Sequence, residues 1–329
     1  MSDDKNNKSI ILEDFTKEVI KGLSRKRKRL NPTLFYDQKG SELFEQICLQ
    51  PEYYLTVTEY KIIIENINSL LQLYDNKEIC IVELGSGSSK KTKILLKYFL
   101  EKQNGSLHYF PIDISKTFLY KSCLKLKNDL PKIITHPIAS DYLDGLEEVV
   151  TKFINSQNNI PNNKLILFLG SSLGNFEPKD ALTFLQNLRE KMNKQDSLLI
   201  GFDLQKKKNI LEAAYNDLEG ITAKFNLNVL ERINKEIRGD FNLKNFSHLA
   251  YYNEAKNRIE MHLISKNKQK VKINNQIFEF EKGESILTEY SYKYNLQSIE
   301  ELANKSNFKV KRNFLDKSKW FNIALLVPL

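Results

Sequence analysis

Within residues 79–92, I-C-I-V-E-L-G-S-G-S-S-K-K-T, an acid, two glycines and two lysines stand close together: Glu83, Gly85, Gly87, Lys90 and Lys91. Glycines spaced one apart leave no Cβ in the way of a ligand, and the acid at position 83 offers a negative charge to a cationic group. Such residues suit the holding of a nucleotide-like molecule, and a plain structural turn accounts for the G-x-G equally well. A dinucleotide fold needs a third small residue, in G-x-G-x-x-G/A, so that a pyrophosphate can sit over the next helix. Counted from Gly85 that position is Lys90, which argues against NAD or FAD. S-adenosylmethionine, with its ammonium and sulfonium, suits the set better.

These residues need elements to position them. Ile79, Ile81, Val82 and Leu84 read as a buried strand, and Ile94, Leu95, Tyr98 and Phe99 recur at helical spacing, so the sequence predicts strand, glycine turn and helix. Residues 107–112 form a second apolar run ending at Asp113, where an acid commonly receives ribose hydroxyls. Residues 132–138 lead to Asp141, and residues 164–169 lead to Gly170, Ser171 and, a few residues on, Asn175. Acids and small residues thus fall repeatedly just past strand ends, where open parallel sheets bind ligands.

Past Asp203, residues 205–218 and 219–237 read as helices, and residues 246–255, 258–265, 270–273, 277–280 and 286–292 alternate like antiparallel strands. This insertion reads as a second domain. A helix from Leu296 and strands at 309–315 and 320–327 would then complete the first sheet. Near the start, residues 1–9 are expected to lack regular structure and residues 10–23 to form an amphipathic helix. Asp37 to Gly40 reads as a turn and residues 41–49 as a short helix stopped by Pro51. Tyr36, Phe44, Tyr53 and Tyr54 crowd this segment, either as core packing or as a lid over a cofactor.

The chain has 329 residues, 41% of them hydrophobic, enough for one large or two modest domains. No long apolar run and no leader pattern is visible, so neither a membrane span nor secretion is expected, and a cytoplasmic location follows. Cys48, Cys80 and Cys123 fit reduced thiols, and His108, His136, His248 and His262 lack metal-ligand spacing, so no metal is expected. Fifty Lys and Arg against 41 Asp and Glu give a net charge of +9, densest at residues 25–29. That run suits nucleic acid or a solvated helix end. No aromatic residues are interleaved with it, so the charge reads as solubility and no nucleic-acid partner is expected.

With these residues in view, the chain resembles the L-histidine Nα-methyltransferase family, the S-adenosylmethionine-dependent enzymes that begin ergothioneine biosynthesis. The resemblance runs from about Leu34 to the C-terminus. It rests on F-Y-D-Q-K-G-S-E-L-F-E from Phe35, P-E-Y-Y-L-T from Pro51, the E-L-G-S-G-S-S-K-K-T turn and P-I-D-I-S from Pro111. It continues through L-G-S-S-L-G-N-F from Leu169, A-Y-N-D from Ala214, R-I-E-M from Arg258 and T-E-Y-S from Thr288. It implies an α/β fold with a Rossmann-like class I methyltransferase sheet, residues 62–204 and 293–329. A second, α+β substrate-binding domain would come from the N-terminal segment and the insertion, residues 10–61 and 205–292.

The resemblance also implies roles. Tyr36, Gly85, Lys91, Asp113 and Asp141 match positions lining S-adenosylmethionine. Asn175 and Tyr215, with backbone at Gly170, match those holding the amino acid's carboxylate and amino end, and Phe44, Tyr53, Met261, Glu289 and Ser291 match the side-chain pocket. The implied reaction is trimethylation of L-histidine to hercynine, by a monomer. The alternative is a related enzyme acting on another aromatic amine such as a tryptophan derivative, and Met261 and Glu289 agree with the histidine type. An imidazole N–H seeks an acceptor such as Glu289, whereas without the resemblance Glu289 reads as a strand-surface acid. In-line methyl transfer rests mainly on positioning; the amine must be neutral, and Tyr36 is a candidate neighbour for its proton. Two departures from the family pattern, Val57 and Gln205-Lys206-Lys207, are expected to alter surface or hinge contacts rather than the reaction.

Overall fold

The computed structural model describes residues 2–75, 77–103, 106–156 and 159–329, with side chains described from residue 12 onward. The chain divides into two compact units, one of Met1–Tyr53 and Lys207–Ser291, the other of Tyr54–Lys206 and Tyr292–Leu329. We call the second the sheet unit and the first the insertion unit.

The insertion unit opens with α1 (Ser2–Leu23) and α2 (Gln38–Ile47). The α1 helix includes residues 2–9, for which composition predicted no regular structure; Phe15, Val19 and Leu23 are buried one turn apart and anchor a helix that extends toward the N-terminus. Asp37 caps α2, accepting from the Gly40 amide at 2.7 Å. The basic run is tied down at its far end. Lys28 pairs with Glu284, and the Arg29 guanidinium lies 4.4 Å from the centre of the Tyr290 ring.

The sheet unit begins with α3 (Tyr54–Gln72), a single helix that packs on the last strand of the sheet. Because the helix is continuous, residues 54–61 belong with the sheet and not with the N-terminal segment to which the sequence assigned them. Then follow β1 (Cys80–Leu84), α4 (Thr92–Lys102), β2 (Leu107–Ile112), α5 (Lys116–Asp129), β3 (Ile133–Thr135) and α6 (Tyr142–Glu148). After these come β4 (Lys164–Phe168), α7 (Pro178–Glu190) and β5 (Ser197–Asp203). Strand β3 is shorter than the predicted 132–138, since Pro137 has no N–H for the ladder, although Ile138 still bridges Ile112.

Back in the insertion unit, α8 (Lys208–Ala213) and α9 (Ile221–Ile237) replace the predicted helices. The first is cut short because Asp217 turns to the next helix, accepting from the amides of Ile221 at 2.6 Å and Thr222 at 2.8 Å. The strands β6 (Phe246–Asn253), β7 (Arg258–Ser265), β8 (Gln269–Ile273), β9 (Gln276–Phe280) and β10 (Ser285–Tyr292) come next. They form a three-stranded sheet in the order β10-β7-β6 and a β8-β9 hairpin, with β6 and β7 antiparallel as their alternation predicts.

Finally α10 (Leu296–Lys305), β11 (Phe308–Leu315) and β12 (Phe321–Pro328) complete the main sheet. Its order is β11-β12-β5-β4-β1-β2-β3, with β1 to β5 parallel and β12 antiparallel to both neighbours. Every residue of β1, β2, β4 and β5 is buried, as strands covered on both faces require. This is the expected α/β sheet of class I methyltransferase type, and its strand order reverses between β1 and β4, beside the glycine turn. Among the described residues no helix is long and apolar enough to cross a membrane.

Candidate active site

In the sheet unit the chemistry gathers at the carboxyl ends of the strands. The turn after β1 holds Gly85 and Gly87 at φ of 73° and 51°, left-handed values that a Cβ disfavours. Both oxygens of Asp113 serve this turn region, Oδ2 accepting from the Gly87 amide and Oδ1 from the Ser115 amide, each at 2.9 Å. Burial raises the Asp113 carboxyl and these two amides pull it back, leaving it above its ordinary value. Asp141 caps α6 by accepting from the amides of Leu143 and Asp144 at 3.0 Å. The next residue, Tyr142, covers Gly85: a Cβ there would lie 3.3 Å from its hydroxyl. A Cβ on Gly87 would meet nothing within 4 Å, so the turn has open space beside it for a nucleoside.

Glu83 does not present its charge to a ligand, contrary to the sequence reading. It is buried, and its carboxyl accepts from the hydroxyls of Thr92 and Tyr109. Burial pushes it up to about 7 although those two hydrogen bonds pull down. It braces the turn from below.

The lysine of the turn has a partner that the sequence reading missed. Lys91 Nζ pairs with Glu59 Oε2 on α3, and Glu59 Oε1 accepts from the Gly170 amide at 2.7 Å. After β4, Gly170 and Ser171 are both left-handed, with φ of 81° and 59°. Ser171 Oγ accepts from the Asp203 amide at 2.9 Å, and Asn175 lies half-buried at the end of the short turn Ser172–Asn175. At the end of β5, Asp203 is fully buried, bonded to Lys293 at 2.7 Å, to the Tyr54 hydroxyl at 2.7 Å and to Lys206. The departure at Lys206 is therefore no surface change, since its side chain is only 4% exposed. Val57, by contrast, is exposed on α3.

The remaining residues to which the resemblance assigns roles lie in the insertion unit. Tyr36, Phe44 and Phe225 pack ring to ring with centroids 5.8 to 6.1 Å apart, Tyr53 lies 6.3 Å from Phe44, and Tyr215 lies 6.3 Å from Tyr53. The Tyr215 hydroxyl donates to Ser291 Oγ at 2.7 Å. Glu289 precedes Ser291 by two residues on β10 and is 9% exposed, and Met261 on β7 is buried. Burial, then the fields of Tyr215, Cys48, Glu289 and Tyr36, hold the Tyr53 phenol far above its ordinary value and so neutral. Tyr36 therefore stands among the aromatic residues of the insertion unit, whereas Gly85, Lys91, Asp113, Asp141, Gly170 and Asn175 belong to the sheet unit. Phe225 was missed because on α9 its spacing is that of any core residue.

The family described as histidine-specific, S-adenosylmethionine-dependent methyltransferase matches residues 15–328. The chain belongs to that family. This methyltransferase is 35% identical over 313 residues to a histidine N-alpha-methyltransferase of Mycobacterium tuberculosis, covering 94% of this chain and 93% of the relative. It is 33% identical over 319 residues to the protein of the same name from Mycolicibacterium smegmatis, 96% and 95% covered. Ergothioneine biosynthesis protein 1 of Schizosaccharomyces pombe is 31% identical over 291 residues, which are 87% of this chain and 37% of that longer protein. Membership of the family makes S-adenosylmethionine the methyl donor of this enzyme, and the open glycine turn with Asp113 and Lys91 beside it suits such a molecule.

Proposed function

We propose that this enzyme methylates the α-amino nitrogen of L-histidine to give hercynine, the first step of ergothioneine biosynthesis. The observation that carries the substrate is a buried carboxylate, Glu289, which is the one acid among the pocket residues Phe44, Tyr53, Met261, Glu289 and Ser291 and whose field reaches the Tyr53 phenol. Rings alone would take any flat side chain. A carboxylate in their company favours a ring with an N–H to donate over one without.

In this reading Asp113 receives the donor's ribose hydroxyls. Each of its oxygens already accepts one amide, yet a carboxylate offers about four lone-pair sites, so capacity remains. Lys91 meets the donor's carboxylate, Tyr36 and Asp141 line the donor, and Gly85 lets it approach. Asn175, Tyr215 and the Gly170 backbone hold the amino acid's carboxylate and amino end; Phe44, Tyr53, Met261, Glu289 and Ser291 enclose the imidazole. Little new charge appears when an amine displaces a sulfonium methyl, so alignment supplies most of the acceleration. The amine must arrive neutral, and Tyr36 is its candidate neighbour. The enzyme works as a cytoplasmic monomer in this reading.

Calorimetry with histidine in the presence of S-adenosylhomocysteine tests the proposal. Glu289→Ala should weaken histidine binding by roughly 10- to 100-fold while S-adenosylhomocysteine binding stays as in the native chain. A variant that binds histidine as well as native protein, or a native chain that prefers tryptamine, would remove histidine as the substrate.

A further inference from the structure

Glu59 is a charged side chain with no exposed surface, standing in the part of α3 that the sequence assigns to the N-terminal segment. A buried carboxylate is tolerated only where its oxygens are matched, and the two here are matched by different parts of the site. Oε2 takes the ammonium of Lys91, which directly precedes α4, and Oε1 takes the Gly170 amide at 2.7 Å, just past β4. The fit is tight on the remaining side. A Cβ on Gly201 of β5 would lie 2.4 Å from Oε1, so the strand has a glycine where the carboxylate passes. Lys91 is also drawn in close, since a Cβ on Gly170 would lie 3.4 Å from its Nζ.

We infer that Glu59 is a positioning residue that couples the methyl donor's site to the amino acid's site. This rests on the reading in which Lys91 serves the donor and Gly170 serves the amino acid. One carboxylate then bears on both: it takes the Lys91 ammonium, and it holds the amide of the Gly170 peptide, whose carbonyl, that of Leu169, accepts from Ser172 Oγ at 3.1 Å. When a donor carboxylate draws on Lys91, the charge on Glu59 is less fully shared, and its bond to the Gly170 amide strengthens. Donor binding thus orders the residue that receives the amino acid. By linkage, the amino acid must strengthen donor binding by the same factor.

The test is a calorimetric cycle on the full chain. Histidine is titrated with and without saturating S-adenosylhomocysteine, in native protein, Glu59→Gln, Lys91→Gln and the double variant, with circular dichroism to check the fold. Native protein should show the donor analogue raising histidine affinity by on the order of tenfold. Glu59→Gln keeps the shape and loses the charge, and its coupling should fall close to unity. Lys91→Gln reaches the same ion pair from its partly exposed end; it should lower the coupling in native background and change nothing further in Glu59→Gln. If Glu59→Gln does not fold, the Lys91→Gln arm alone decides, an unchanged coupling factor overturning the inference. Coupling that persists in folded Glu59→Gln overturns it too. A native chain that binds neither S-adenosylhomocysteine nor histidine instead overturns the functional reading beneath it.

Discussion

Glu83 shows how one buried acid shapes a stability profile. Its carboxyl is lifted by burial from 4.5 to about 7, against the pull of the Thr92 and Tyr109 hydrogen bonds. Between those values the folded chain keeps a proton that the unfolded chain releases. The stability this contributes is therefore fully present below the ordinary value and is lost as pH rises through about 7. Glu83→Gln keeps the shape without the titration. Urea unfolding of both proteins at about pH 5 and about pH 8 should show the variant gaining on the native chain as pH rises. Curves that stay parallel would mean that another group titrates. The same residue explains a misreading: an acid beside G-x-G suggests a ligand, and only the position of Tyr109, 26 residues on, shows that the charge is spent on the turn itself.

At the scale of elements, the glycine turn separates two reasons for having no Cβ. Both Gly85 and Gly87 are left-handed, so alanine at either costs on the order of 1 to 2 kcal/mol in backbone strain. At Gly87 nothing more is added, because the new methyl meets open space. At Gly85 it also presses on the Tyr142 ring at 3.3 Å. Gly85→Ala should therefore unfold at lower urea than Gly87→Ala, and equal midpoints would show that Tyr142 yields without cost. Strand ends of this kind were legible in the sequence because a buried parallel strand is a continuous apolar run and its acid or glycine marks where it stops. Asp113, Asp141 and Gly170 were all found that way. The α3 helix was not, since periodicity tells which face of a helix is apolar but not which core receives it. Glu59 was invisible for a related reason, being 111 residues from the amide it holds. The aromatic cluster was half legible: the crowded Tyr36, Phe44 and Tyr53 stood out, whereas Phe225 on α9 did not.

Each unit of the whole molecule carries its own buried acid held low, and this makes acid unfolding separable. In the sheet unit burial would raise Asp203, but Lys293 and Lys206 more than reverse it and hold it below its ordinary value. In the insertion unit burial also opposes ionisation of Glu260, yet the hydrogen bonds from Arg258 and Tyr251 bring it from 4.5 down to about 2. A depressed carboxyl lends stability that is present above its unfolded value and is lost as pH falls, here from 4.5 toward about 2 for Glu260. The probes differ as well. Trp320, the single tryptophan, lies 5.3 Å from Tyr54 within the sheet unit, so its fluorescence follows that unit. Far-ultraviolet circular dichroism follows both. Glu260→Gln should reshape the acid limb seen by circular dichroism and leave the Trp320 transition where it was, because Glu260 and its partners lie in the insertion unit and Trp320 in the sheet unit. If both probes move together by the same amount, the units unfold as one cooperative body and the acid limb belongs to the molecule as a whole.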